Sequence, residues 1–268
     1  MYRRLWLLPI TIAILLAISL NAQTDMEKAN ALFAERESNV KSISAAKEIY
    51  VKIIKSNKMS LATRGEALDK YARLAVYEGE LARKKFGTSK KKSKAIFEQC
   101  MNATEHLSAD KIGVVVAEYA YWRAVCIGLW AAHTNGAEIL IHMKRIDEMV
   151  ALMEQGVQDF KAFDNYGFNR IQAGFYSRSK ALKLRGYYHP EKSWELVNEA
   201  IYHNPYVYIN YLLKAEIEVA LKNKYQAIQT LEQAINDLEG QLKNMPADLL
   251  PENKIYLERM EKMLSDLS

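Results

Sequence analysis

The sequence predicts an all-α protein, and three observations carry that expectation. Glycine and proline are scarce, 11 and 5 in 268 residues, while Ala, Leu, Lys, Glu, Ile and Met fill nearly every window with strong helix formers. No alternation of apolar and polar residues persists long enough to read as a strand, which argues against a sheet-based enzyme fold. The remaining prolines after the first stretch, Pro190, Pro205, Pro246 and Pro251, all fall at junctions between periodic segments, where a missing N–H does no harm.

The first residues stand apart. "MYRR" is a basic start, "LWLLPITIAILLAISL" an apolar run and "NAQ" a small-residue end, the three parts of a secretory signal peptide. We expect residues 1–22 to be that leader and 23–268 to form one α-helical domain, exported to a periplasm or secreted. The run from Leu5 to Leu20, broken by Pro9 and Thr11, falls short of the ~20 apolar residues a membrane-spanning helix needs. Leu20 is an imperfect residue ahead of the cleavage site, so an uncleaved anchor is the alternative.

Beyond the leader, 35 Lys+Arg face 32 Asp+Glu, too even a balance for a nucleic-acid binder. The one dense basic run is "RKKFGTSKKKSK", Arg83 to Lys94. It reads either as a solvated loop around Gly87-Thr88-Ser89 or as a surface for acidic lipid headgroups or an acidic partner, and any membrane contact is peripheral. Cys100 and Cys126 are the only cysteines. An oxidising compartment permits a disulfide between them, and two buried thiols fit the sequence equally well.

Periodicity and turn chemistry place helices at about 25–36, 40–56, 60–85, 90–107, 111–134, 137–162, 167–185, 190–203, 206–222, 224–243 and 251–266. Two of them repeat. "SWELVNEAI" realigns with "AIQTLEQAI" 34 residues later, so Ser193, Val197 and Ala200 correspond to Ala227, Leu231 and Ala234. That period is the tetratricopeptide repeat's, whose second helix carries small residues where a neighbour crosses closely. "SAAKEIYVKIIKSN" has a similar shape, with Ala46, Tyr50 and Ile53 on one face. The expected architecture is a tetratricopeptide-like solenoid of antiparallel helix pairs.

"EYAYWRAVCIGLWAAH", Glu118 to His133, concentrates aromatic residues in one helix. Ala117, Ala120, Ala124, Gly128 and Ala131 form a stripe of small residues that lets another helix approach. Trp122, Val125 and Leu129 lie on an adjacent face, with Tyr119, Arg123 and Trp130 further round. Glu118 and Arg123 exclude a membrane span. A central core helix is the default reading of such a pattern, and the wall of a ligand site is the alternative.

These segments resemble the T-component family of TRAP transporters, periplasmic tetratricopeptide-like helical proteins. The resemblance spans residues 115–240. Tyr121, Trp122, Gly128 and Trp130 match its aromatic helix. Asp164, Tyr166, Gly174, Phe175 and Tyr176, in "FDNYGFNRIQAGFYSR", match a turn and the helix after it, and Ala200, Pro205 and Tyr211 match a following repeat unit. The chain lacks the lipid-accepting cysteine common in that family. The resemblance implies a non-catalytic scaffold that associates with a periplasmic solute-binding protein and aids ligand uptake, with a small-molecule channel lined by Trp122, Trp130, Arg170 and Tyr176.

The residues add candidates of their own. Arg170 and Arg178 flank an aromatic helix and can meet an anionic ligand. Tyr187, Tyr188, Tyr202, Tyr206, Tyr208 and Tyr211 form a Tyr-rich stretch suited to recognition, although at least half of them are expected to cap helix interfaces instead. Ala200, Pro205 and Ala234, with Gly128 and Gly174, are expected to be structural. No motif for a cofactor, a metal or a nucleophile is present. Glu138 and His142, four residues apart, read as a surface pair rather than metal ligands. A general periplasmic adaptor that binds peptides or proteins on a concave face is the alternative function, and a helical hydrolase with a buried carboxylate or His pair the third.

Overall fold

A computed structural model describes residues 24–178 and 180–268; the expected leader, residues 1–22, lies outside them. Every regular element among the described residues is helical. The helices are α1 (24–34), α2 (Val40–Lys55), α3 (Leu61–Val76), α4 (Lys90–Thr104), α5 (Ala109–Ile112), α6 (Ala117–Ala132) and α7 (Gly136–Ile141). They continue with α8 (Met143–Asp159), α9 (Gly167–Arg178), α10 (Pro190–His203), α11 (Ile209–Ala220), α12 (Lys224–Leu242) and α13 (Leu250–Leu267).

Local chemistry sets several of the boundaries. Asn39, Ser60, Ser89 and Asn135 each accept a hydrogen bond from a first-turn backbone N–H, which satisfies a donor that the helix itself leaves unpaired. Pro190 and Pro251 sit in the first turns of α10 and α13. Gly87, Gly113 and Gly186 end segments with positive φ. Several boundaries differ from the sequence reading: the segment expected at 111–134 is broken at Gly113–Val116 between α5 and α6, and the one at 167–185 is α-helical only to Arg178. The segment expected at 137–162 breaks at His142 into α7 and α8, and the one at 60–85 passes into a π-helical turn at Tyr77–Leu81.

Most helices pack on their neighbours in the chain: α2 on α3, α4 on α6, α6 on α8, and then α8 to α13 in series. The aromatic helix α6 is central, contacting α3, α4, α8 and α9, as its default reading expects. A large core extends from α1 to Phe168. Smaller cores join α9, α10 and α11 and α11, α12 and α13. Cys100 on α4 and Cys126 on α6 are joined in a disulfide, with 6.0 Å between their Cα atoms.

The last helix closes back on the first. α13 packs on α11 and α12 and also reaches the Tyr77–Leu81 turn. Arg36, fully buried, donates to both carboxylate oxygens of Glu252 at 2.9 and 2.6 Å, to the Asp248 carbonyl, and to the Phe33 carbonyl at 3.1 Å. Its guanidinium also lies 4.3 Å from the Phe33 ring centroid. A buried arginine with this many acceptors is fully compensated, which is what its burial requires.

Candidate functional site

The turn before α9 has the most unusual backbone among the described residues. Asp164, Asn165 and Tyr166 are consecutive left-handed residues, with φ of 47°, 55° and 61°. Side chains with a Cβ avoid this region at about 1–2 kcal/mol each, so the turn must be held from outside. The Asp164 carboxylate accepts from Arg73 of α3 at 2.7 Å and from Arg170 of α9. Asn165 accepts from Asn204 at 2.7 Å, and Tyr166 stacks on His203 with ring centroids 4.1 Å apart.

The node extends from there. Arg170 donates to the Tyr121 hydroxyl at 2.9 Å and to the Asp164 carbonyl at 3.2 Å, and reaches Asn210 of α11 at 3.5 Å. Arg73 also donates to Asp69 at 2.9 Å, whose other oxygen accepts from the Trp122 indole N–H at 3.1 Å. The Arg73 guanidinium lies over the Trp122 ring at 5.3 Å, a cation–π contact. Burial opposes ionisation of Asp164, but Arg170 and Arg73 outweigh it and hold the carboxyl below its ordinary range. Burial pushes the Tyr121 hydroxyl up. It takes Tyr256 of α13 up to about 12, with the Glu252 carboxylate adding to the effect.

Chemically the node is balanced: two arginines meet two aspartates. Arg170 and Asp164 keep little exposure, whereas 38% of the Arg73 side chain remains accessible, so Arg73 is the open edge. The arrangement clamps α3, α6, α9 and α11 together and fixes the Tyr121–Trp122 pair. A ligand acid would have to displace Asp164 or Asp69 to gain an arginine.

The residues singled out from sequence therefore separate. Tyr121, Trp122 and Arg170 come together, although each is already committed to a protein partner. Trp130 is fully buried elsewhere on α6, donating to Glu98 at 3.2 Å beneath the Arg145 guanidinium. Tyr176 is buried beside Gln172 and Glu154. Arg178 is 63% exposed and pairs with Glu216. Trp122, Trp130 and Tyr176 are buried and the Arg170 side chain is largely so. Of the six clustered tyrosines, Tyr202 and Tyr206 are exposed, at 82% and 67%, while Tyr208 is buried and Tyr187, Tyr188 and Tyr211 are partly so.

The glycines redistribute as well. A Cβ at Gly174 would make only ordinary contacts at 3.7 Å, and one at Gly128 would meet Met149 at 3.4 Å. The tight positions are Gly156, where a Cβ would lie 2.0 Å from the Phe168 ring, Gly167, where it would lie 2.6 Å from Tyr121, and Gly79, where it would lie 2.7 Å from the Phe97 ring. All three allow an aromatic ring to sit directly on a backbone. Ala200 and Ala234 are buried at their helix crossings, and Pro205 is exposed in the α10–α11 turn.

Sequence reasoning did not single out Arg36, Asp69, Arg73 or Glu218. Asp69 and Arg73 stand four residues apart, a visible helix pair; their link to Asp164 leaves no local signal. Glu218 is a fully buried carboxylate pushed up by burial, accepting from Thr230 at 2.9 Å with Lys214 at 3.7 Å. No group of His, Cys, Asp and Glu among the described residues is arranged to hold a metal. Glu138 pairs with Lys94, and His142 packs edge-on against Trp130. The sequence matches no protein-family model and no curated protein.

Proposed function

We propose that the chain is an exported, non-catalytic helical-repeat scaffold of the tetratricopeptide-like kind, acting as the T component of a TRAP transport system beside a periplasmic solute-binding protein and aiding uptake of a small-molecule ligand. The observation that carries the reading is a helix contact built twice. Ser193, Val197 and Ala200 of α10 and Ala227, Leu231 and Ala234 of α12 are all buried at matching positions, as stacked repeats require. The serial packing of α8 to α13 is in keeping with it. The Cys100–Cys126 disulfide is chemistry of an oxidising compartment and supports export. The transporter assignment itself comes from the resemblance of the Tyr121–Trp130 and Asp164–Tyr176 segments.

A general periplasmic adaptor is the second reading, favoured by Tyr202 and Tyr206, which stand exposed around the α10–α11 turn, where aromatic anchors serve protein recognition. An affinity pull-down of residues 23–268 from envelope extract, read by mass spectrometry, separates the two. Recovery of a solute-binding protein supports the transport role. Recovery of assembly factors transfers the assignment to the adaptor, and an empty eluate overturns the transport role.

A further inference from the structure

The basic run at Arg83–Lys94 plays no part in the site or the repeat, and its surroundings give it a purpose. It holds seven cations and no acid, so the rest of residues 24–268, with 28 Lys+Arg against 32 Asp+Glu, is net negative. The net positive charge of residues 24–268 thus comes from this run. Lys90, Lys91 and Lys94, at the start of α4, line a surface cleft of about 410 Å³ whose opposite wall includes Asn135 and Glu138 of α7. Lys94 is neutralised by Glu138 and Lys92 lies 3.8 Å from Glu78. Lys90 and Lys91 are exposed and have no carboxylate partner among the described residues.

Across that cleft α7 presents an unusual pair. Leu140 and Ile141 are 61% and 78% exposed, next to each other on a helix of six residues. Ile141 follows Glu138, which lines the cleft, by three positions and so lies on the same side of the helix, whereas Leu140 projects from the other side. Exposed Lys144 follows at the start of α8. Isolated exposed aliphatics are ordinary, but these two are adjacent on the short helix whose Glu138 shares the cleft with Lys90 and Lys91, which puts apolar and cationic groups at one end of the molecule's surface.

We propose that this end, Lys90 and Lys91 with Leu140 and Ile141, docks the folded chain on an anionic phospholipid surface: the lysines meet headgroup phosphates and the two aliphatic side chains enter the headgroup–acyl boundary. Charge complementarity selects the occupant. Lysines close to an anionic leaflet and shallow apolar insertion reinforce one another, and neither alone holds a protein firmly. An acidic protein partner would instead need a broad complementary surface, whereas the apolar part here is a short projecting helix. No described helix is long and apolar enough to cross a membrane, so the contact is peripheral. It is independent of the transport assignment.

The test is flotation of residues 23–268, which hold the whole described fold, with vesicles of phosphatidylcholine alone or mixed with phosphatidylglycerol. Flotation is expected only with the mixed vesicles and is expected to weaken at high salt. The Lys90→Glu/Lys91→Glu variant should lower partitioning at least about tenfold, and Leu140→Ser/Ile141→Ser by about tenfold. A Lys224→Glu/Lys243→Glu control, equal in charge but exposed elsewhere, should keep most of it. All four target side chains are exposed, so unchanged circular dichroism is expected of each variant. Absence of flotation, equal flotation with neutral vesicles, or an equal loss in the control overturns the proposal. No partner protein is present in this assay, so its failure and failure of the pull-down are separate outcomes.

Discussion

The two halves of the helical series are packed by different means. From α1 to α9 the chain is held by large side chains: Tyr50, Phe97, Trp130 and Phe168 are fully buried, and the disulfide ties α4 to α6. From α10 to α12 the crossings are made by Ser193, Ala200, Ala227 and Ala234, small residues that bring backbones close. Aromatic packing resists loss of volume, whereas small-residue crossings resist its addition. α13 belongs to both, with Met260 in the C-terminal core and Ile255 against the N-terminal one.

The largest expected effect is at the clasp between the halves. Arg36→Met leaves Glu252 without its buried partner, and urea unfolding should show a loss of about 3–5 kcal/mol. Retention of full stability would mean that α13 is held by its apolar face alone. The disulfide closes a separation of 26 residues, so the Cys100→Ser/Cys126→Ser variant should lose about 3–4 kcal/mol by loop entropy. Cleavage of the chain within α10–α12 by limited proteolysis should be affected less than cleavage in α4–α6.

Overpacking sharpens the contrast. Ala234→Leu in the C-terminal half and Gly156→Ala in the N-terminal half should each cost about 1–3 kcal/mol, the second because Phe168 already occupies the space of the new Cβ. Gly174→Ala, with room for its methyl, should be tolerated or gain slightly through helix propensity. Equal losses at Gly156 and Gly174 would contradict the packing described.

The Asp164 turn adds a pH dependence. Its folded carboxyl is held below the range of an unfolded chain. Its contribution is therefore complete above roughly pH 4 and is lost as pH falls through the lowered folded value. Asp164→Asn should flatten the fall in stability on the acid side while weakening the protein at neutral pH. An unchanged acid profile would exclude Asp164 as its source. The smallest effect is expected at Arg178→Ala, whose exposed ion pair with Glu216 should change stability by less than about 0.5 kcal/mol.

Much of the fold is legible in the sequence because its signals are local. Capping Asn39, Ser60 and Ser89, the prolines at helix starts and the small residues of α10 and α12 all act within a few positions of where they stand. The site is less so. Trp122 and Tyr121 announce themselves as a pair in α6, but the pattern cannot say that they face Asp69 and Arg170. Gly128 and Gly174 attract notice beside aromatics, yet the tight glycines are Gly79, Gly156 and Gly167, because ring placement depends on which helix arrives opposite.

By itself the sequence determined the all-helical class, the places of most helices and a central aromatic helix, since a helix is specified by contacts three and four residues apart. Only the tertiary structure decided that Arg73 meets Asp164, 91 residues away, and that Arg36 meets Glu252, 216 residues away. It also brought Lys94 of α4 to Glu138 of α7. Such pairings depend on how small angles between successive helices accumulate, and no local spacing records that sum.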